Sequence, residues 1–280
     1  MNKKILILGN TGKIGIALSE TLKGNYALTG KNSKDFDASD FKVIRTMIDD
    51  VKPDIVINTV AFMGIDPCEA EPEKAFLINA LLPKFLADIS LEYGFLFIHF
   101  STDAVFNDEK RDFYVEDDIP KPLNVYGATK YSGDCFIQAI SKKYYIFRLP
   151  VLFGKAIKNN QFVEKMLEKI KNGQKVLKIS DDIISSPTYS YDVALKIKEA
   201  LSASLPFGLY HIANEGKASL YELMSEILKC LNLDARAEKA SYKDFAFKGI
   251  KNTFTPIRSR KTNPLRPWRE ALKDYCQKIS

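Results

Sequence analysis

The sequence predicts an α/β protein: a doubly wound parallel sheet with a smaller C-terminal lobe. Three observations carry this expectation. Short, continuous runs of Val, Ile, Leu and Phe alternate with longer amphipathic stretches through the first half. A glycine-rich turn joins the first run to the first amphipathic stretch, and the rhythm changes after Gly154. Strands covered on both faces are apolar along their whole length, which is how a buried parallel sheet reads. Strand, helix, strand repetition then layers helices on both sides of that sheet.

Taken in order, KILILG (4–9) is the first strand and 13–23 the first helix. YALTG (26–30) and a helix over 40–51 follow, then DIVINTVA (54–61) and a helix over 69–91, where Pro72 suits a first turn. FLFIHFST (95–102) is the fourth strand. A loop holding Pro120 and Pro122 leads to a helix over 126–141 and to YYIFRLP (144–150) as the fifth strand. Beyond Gly154 come a helix (160–172), the polar loop SDDIISSPTYS, a helix (191–203), a strand in GLYHIA and a helix (218–232). An irregular stretch, 240–265, precedes the basic amphipathic helix RPWREALKDYCQKI. Residues 1–154 are expected to form the first domain, rejoined by elements around 180–215, and 155–280 the smaller, substrate-binding lobe.

With 46% hydrophobic and 27% charged residues, the chain reads as an ordinary globular protein. The apolar run at MNKKILILGN is too short for a signal peptide, and no stretch approaches the roughly 20 apolar residues needed to cross a bilayer. A cytoplasmic location without membrane contact is the expectation. Cys68, Cys135, Cys230 and Cys276 form no CxxC pair and lie far in sequence from His99 and His211, which argues against a zinc site or a disulfide framework. Both histidines sit in apolar segments and read as packed side chains. The net charge of +6 is uneven: residues 235–280 hold 12 Lys or Arg against 4 Asp or Glu, so the rest is close to neutral. Such a segment suits a nucleotide diphosphate, nucleic acid or plain solvent.

In ILILGNTGKIGIALSETL, Gly9, Gly12 and Gly15 stand between the first strand and the first helix. A turn without Cβ atoms lets the backbone approach a pyrophosphate, and a helix N-terminus offers unpaired N–H groups and a favourable dipole. The placement predicts dinucleotide binding by a Rossmann-type domain. After the second strand come Lys31, Asn32, Ser33 and Lys34, where an NAD-selective site would place a carboxylate for the ribose. Asp35, about 20 residues past Gly15, falls beyond the strand end. Cations in that place favour a 2′-phosphate, hence NADPH, with NADH as the alternative.

Tyr126 and Lys130 lie at i and i+4, on one face of the helix that opens NVYGATKYSGD. An ammonium near a phenol lowers its pKa towards working pH and makes it a useful acid. Ser101, Thr102 and Asp103 end the fourth strand at the carboxyl edge of the sheet, where such folds bind ligands.

Together these segments resemble the extended short-chain dehydrogenase/reductase family. VAFMGIDPCEAEPEKAFLINALLPKFLA, STDAVFND, YGATK, ISSPTYSYDVA, GLYHIANEGKASLYELM and LRPWREALKDY, in that order, resemble its dTDP-4-dehydrorhamnose reductase group over nearly the whole chain. The resemblance implies reduction of the C4 keto group of a nucleotide-activated 4-keto-6-deoxy sugar, in deoxysugar biosynthesis. Tyr126 would protonate the keto oxygen, Lys130 would lower the Tyr126 pKa and hold the ribose, and Thr102 would orient the oxygen. Gly9, Gly12, Lys13, Ile14 and Gly15 would surround the pyrophosphate. Lys31 and Asp37 would flank the adenosine, and Ala61 and Phe62 the path of the cofactor, with Asn79 as a further wall. Ser101, Asp103, Ala104 and Pro150 would line the sugar site, and Arg258 and Arg260 would hold the diphosphate. The chain departs from the group at Ala104, usually aromatic, in lacking a tryptophan after RLPVLFG, and at Ala17, where some members bind magnesium; no metal is expected. A nucleotide sugar is the expected partner, nucleic acid is not, and a homodimer is the candidate assembly. A sugar-nucleotide epimerase or dehydratase, and a non-catalytic cofactor-binding subunit, stand as alternatives.

Overall fold

The apolar runs become one six-stranded parallel sheet in the computed structural model, which describes residues 2–155, 157 and 161–279. Its strands are β1 (Lys4–Leu8), β2 (Ala27–Lys31), β3 (Ile55–Asn58), β4 (Leu96–Thr102), β5 (Tyr144–Leu149) and the strand Gly208–His211. The order across the sheet is β2, β1, β3, β4, β5 and 208–211, every pair parallel. All of β3, and β1 beyond Lys4, is buried, whereas the edge strand β2 is partly exposed. The chain leaves β1 for β2 on one side and returns to β3 on the other. That reversal opens a crevice beyond the carboxyl ends of β1 and β3.

One face of the sheet is covered by α1 (Lys13–Leu22), whose Ile14, Ala17 and Leu18 pack into the same core as Val193 and Ile197 of the later helix Ser190–Ala203. The other face carries α2 (Phe41–Val51), capped by the Asp40 carboxylate, and the helices Leu82–Tyr93 and Val125–Ile140. The single helix expected over 69–91 is instead four pieces. They are α3 (Ile65–Ala70), α4 (Pro72–Phe76), a π-helical turn over Leu77–Leu81 and α5 (Leu82–Tyr93). Pro72 and Pro83 each start a new helical piece, where the missing N–H costs nothing. The catalytic-candidate helix is α6 (Val125–Ile140).

Beyond β5, the helices α7 (Phe162–Lys171), α8 (Ser190–Ala203), α9 (Leu220–Cys230) and α10 (Trp268–Ile279) divide their packing. Helix α8 lies on α1, while α7, α9 and α10 enclose a separate core around Phe153, Leu177, Met224 and Trp268. The pair Val176–Ser180 and Arg236–Ala240 backs that core. SDDIISSPTYS, expected as a loop, contains two short strands, Ile184–Ser185 and Thr188–Tyr189. The stretch after Ala240 is mostly irregular but is tied down by bridges from Phe254 to Ile184 and from Ile257 to Tyr114. Among the described residues, no helix is long and apolar enough to cross a membrane.

Candidate active site

The glycines of the first turn have different duties. Gly9 has φ +89°, and a Cβ there would sit 2.5 Å from Thr59 Oγ1. A Cβ on Gly15 would sit 2.3 Å from the Gly9 carbonyl oxygen and 2.6 Å from Asn10 Cα. Both are required by the fold itself. Among the described residues, a Cβ on Gly12 would meet only the Gly9 oxygen, at 3.5 Å, so they leave that side open for a ligand to approach. The turn is held by the N–H groups of Gly9 and Asn10, which donate to the Lys31 carbonyl at 2.7 and 3.2 Å. Among the described residues no side chain caps α1, so its first N–H groups and the positive end of its dipole face the crevice.

Two expected phosphate neighbours offer only their backbone. The Lys13 ammonium is buried and donates to Glu164 at 2.8 Å, Gln161 at 2.6 Å and the Leu152 carbonyl at 3.2 Å. It ties the turn to α7. The Ile14 side chain lies in the core below. Lys31 is the last residue of β2, one beyond the expected strand end. Asp35 turns back to accept from the Asn32 N–H at 2.8 Å, which leaves no carboxylate directly after β2. The Asp37 carboxylate accepts from the Ser39 N–H and hydroxyl, which hold its carboxyl below the ordinary value, with Lys74 adding to the effect. The Lys74 ammonium also sits 5.0 Å from the Phe62 ring centre. Asp37 and the Ala61–Phe62 loop therefore share one side of the crevice. Asn79, on the π turn, clamps that loop: the Phe62 N–H donates to Asn79 Oδ1 and Asn79 Nδ2 donates to the Phe62 carbonyl, both at 2.9 Å.

Helix α6 starts where two glycines let it come close. A Cβ on Gly127 would lie 2.2 Å from the Ala104 carbonyl oxygen, and one on Gly133 would lie 2.4 Å from that of Asn79. Asn124 caps the helix by accepting from the Gly127 N–H at 2.9 Å, and the Val125 N–H donates to Glu69 at 2.9 Å. The approach brings the Tyr126 phenol against the Thr102 hydroxyl. Thr102 Oγ1 accepts from the Ala104 N–H and donates to Asp103 Oδ1, each at 3.2 Å. Asp103 in turn accepts from Ser185 at 2.9 Å and Thr255 at 2.7 Å, so residues far apart in the chain meet on one carboxylate. Burial raises its carboxyl pKa despite these bonds. Burial also raises the Tyr126 phenol; the Thr102 bond pulls it down, while Asp103 and Cys68 push it further up.

Two expectations are corrected at this point. Lys130 lies on the helix face of Tyr126, but its side chain is turned to other partners. Its ammonium position is 3.0 Å from His99 Nε2, and it donates to the Phe100 carbonyl at 2.6 Å. Burial lowers Lys130 to about 8, against the opposing charge of Asp134. Ser101 does not face the sugar site: its hydroxyl donates to the buried Asp134 at 2.8 Å, beside Arg148 Nε at 3.1 Å.

Ala104 is buried directly under the first turn of α6, and Pro150 follows β5 at the same edge. Arg258 and Arg260 lie on another patch. The Arg258 guanidinium covers Phe113 and is 3.8 Å from Asp112, and that of Arg260 is 3.9 Å from Asp117; both are exposed. Glu69, Cys68, His99 and Asp134 stand close to the candidate groups without having been singled out for a role there. Asp134 was readable, since it lies one helical turn beyond Lys130.

A phenol held against a strand-end hydroxyl, across a crevice from an uncapped glycine turn, is the arrangement of an extended short-chain dehydrogenase/reductase. Comparison with known proteins narrows that class. The chain belongs to the family described as RmlD substrate binding domain, which matches residues 3–280. It is 33% identical to the spore coat polysaccharide biosynthesis protein SpsK of Bacillus subtilis, over 99% of this chain and 98% of that one. It is 34% identical to dTDP-4-dehydrorhamnose reductase of Escherichia coli, over 78% and 75% of the two chains. The crystal structure of dTDP-4-dehydrorhamnose reductase from Bacillus anthracis in complex with NADP superposes with a TM-score of 0.92, at 27% identity, over 99% and 100%.

Proposed function

We propose that the protein is an NAD(P)H-dependent oxidoreductase that reduces the C4 keto group of a nucleotide-activated 4-keto-6-deoxy sugar, with NADPH preferred. One observation carries the chemistry: the Tyr126 phenol rests on the Thr102 hydroxyl at the carboxyl edge of the sheet. Family membership and relatives named for sugar-nucleotide reduction and coat polysaccharide synthesis support the substrate class.

The open side of Gly12 and the uncapped start of α1 fit a pyrophosphate, with Gly9, Gly15 and the backbone of Lys13 and Ile14 around it. Asp37 and the Ala61–Phe62 loop fit the adenosine and nicotinamide ends. A nicotinamide bound there would supply the hydride to C4. Tyr126 donates its phenolic proton to the C4 oxygen as negative charge develops there, leaving tyrosinate and a C4 alcohol. The burial that raises Tyr126 keeps the proton in place until that charge appears. Thr102 orients the oxygen, and Lys130 holds the ribose. Asp103, Ala104 and Pro150 border the sugar, and the lobe formed mainly by residues 155–280 supplies its other wall.

The test is consumption of NADPH and NADH with a panel of nucleoside diphosphate 4-keto-6-deoxy sugars. Turnover of at least one, abolished in Tyr126→Phe, is expected. Failure of every 4-keto sugar would sink the substrate class, and full activity of Tyr126→Phe the mechanism. Lys31→Asp should raise the Michaelis constant for NADPH more than that for NADH; equal effects would count against the NADPH preference.

A further inference from the structure

Lys130 is held by a chain of hydrogen bonds whose direction can be read from one end. The Val60 N–H donates to Asn58 Oδ1 at 3.0 Å, which fixes the orientation of that amide. The amide nitrogen, a donor only, is therefore the atom that faces His99 Nδ1 at 3.3 Å. His99 Nδ1 accepts. The ring is fully buried, and that burial keeps it well below its ordinary pKa, so it is neutral and its one hydrogen is on Nε2. That N–H points at Lys130 Nζ, 3.0 Å away. An ammonium has three donors and no lone pair, so it cannot receive an N–H. A neutral amine can, while still donating to the Phe100 carbonyl at 2.6 Å.

We propose that His99 is a positioning residue that parks Lys130 as a neutral amine against β4, so that Lys130 takes up a proton as it turns towards Tyr126 and the cofactor ribose. The inference rests on the reading of Tyr126 and Lys130 given above and extends it to a histidine outside the site. The other groups facing Lys130 allow this. Asp134, one turn along α6, favours the cation, but its carboxylate is already engaged by Arg148 and Ser101. Tyr126, one turn back, holds its own proton because burial raises its pKa. Burial outweighs Asp134 and brings Lys130 to about 8. The proton taken up comes from solvent and bonds to the nitrogen lone pair, so no other reactant is needed.

The chain has only two histidines, and they should be opposite tautomers. His211 Nδ1 lies 3.2 Å from the carbonyl oxygens of both Tyr114 and Arg258, so its hydrogen is on Nδ1. NMR of the cofactor-free, ¹⁵N-histidine-labelled protein at about pH 9, above the point where Lys130 gives up its proton, with His211→Gln for assignment, should show His99 with its hydrogen on Nε2. A hydrogen on Nδ1, or an imidazolium, overturns the proposal. A second measurement follows the NADPH dissociation constant with pH by fluorescence. Wild type should be flat below about 8 and weaken about tenfold per pH unit above it. His99→Gln, whose side-chain oxygen accepts from an ammonium, should move that break up by about one unit or more. A break that stays in place in a folded variant also overturns the proposal. If NADPH and NADH fail to bind at any pH, the functional reading falls, and the tautomer alone decides the role of His99.

Discussion

The two halves of the sheet's carboxyl edge are made of different materials. Beyond β1 and β3 the crevice is lined by backbone: a glycine turn and the bare start of a helix, with Lys13 and Asp35 turned to partners of their own. Beyond β4 and β5 the edge crowds ionisable side chains together, with Lys130, Asp134 and Arg148 buried beneath Tyr126 and Asp103. The first half offers a ligand mainly shape and fixed dipoles, which do not titrate. The second shifts proton affinities through burial and proximity. A substitution in the first should therefore change fit, and one in the second should change acid–base behaviour.

The largest test of that division is Tyr126→Phe. It should lower kcat on the order of 10²- to 10⁴-fold while nucleotide affinity is kept; equal losses in steady-state kinetics and in nucleotide titration would erase the division. Within the first half, Gly15→Ala drives a methyl group into the Gly9 carbonyl and should cost about 1–3 kcal/mol in chemical denaturation. Gly12→Ala should leave stability within about 0.5 kcal/mol yet weaken nucleotide binding about tenfold. Similar behaviour of the two variants would mean that Gly12 faces no ligand. In the second half, Ser101→Ala removes a hydrogen bond from a carboxylate whose Oδ1 already has no partner among the described residues. A loss of about 1–3 kcal/mol in stability, with no rise in the sugar KM, is expected; the reverse pattern would return Ser101 to the substrate site.

The last test is a slope. Lys130 releases its proton at about 8 when folded, against an ordinary value of 10.5. Between those values the unfolded chain binds more protons, so this lysine makes stability rise with pH, by roughly 1 kcal/mol per unit. The rise begins near pH 8, ends near 10.5, and should be missing from Lys130→Met in denaturation across that window. Identical slopes in the two proteins would mean that Lys130 is not held as described.

The sheet was legible because buried parallel strands are written in continuous apolar letters. The helix over 69–91 was not, since the π turn that interrupts it depends on Asn79 gripping Phe62, a tertiary contact. Thr102 and Tyr126 were legible as a strand end and a helix face. The direction of Ser101 should have been, because neighbours on a strand point to opposite faces, and His99 and Ser101 share the face that meets Lys130 and Asp134. The basic C-terminal segment shows the limit of counting charge. Lys261 donates to the Leu209 carbonyl, and Arg266 bridges Asp192 and Asp274, so part of that charge is spent inside the protein.

Asn124, the cap of α6, also donates to the Ile250 carbonyl at 2.9 Å and to Asn252 at 2.8 Å, and Asp108 receives the N–H groups of Thr253 and Phe254. Asn124 thus waits for a partner 126 positions later in the chain. A ribosome delivers residues in order, and the early sheet can assemble as it emerges. The start of α6 is sealed only when the last tenth or so of the polypeptide arrives. A nascent or shortened chain would hold the nucleotide crevice before it held the chemistry, which would keep an unfinished enzyme from acting on its substrate.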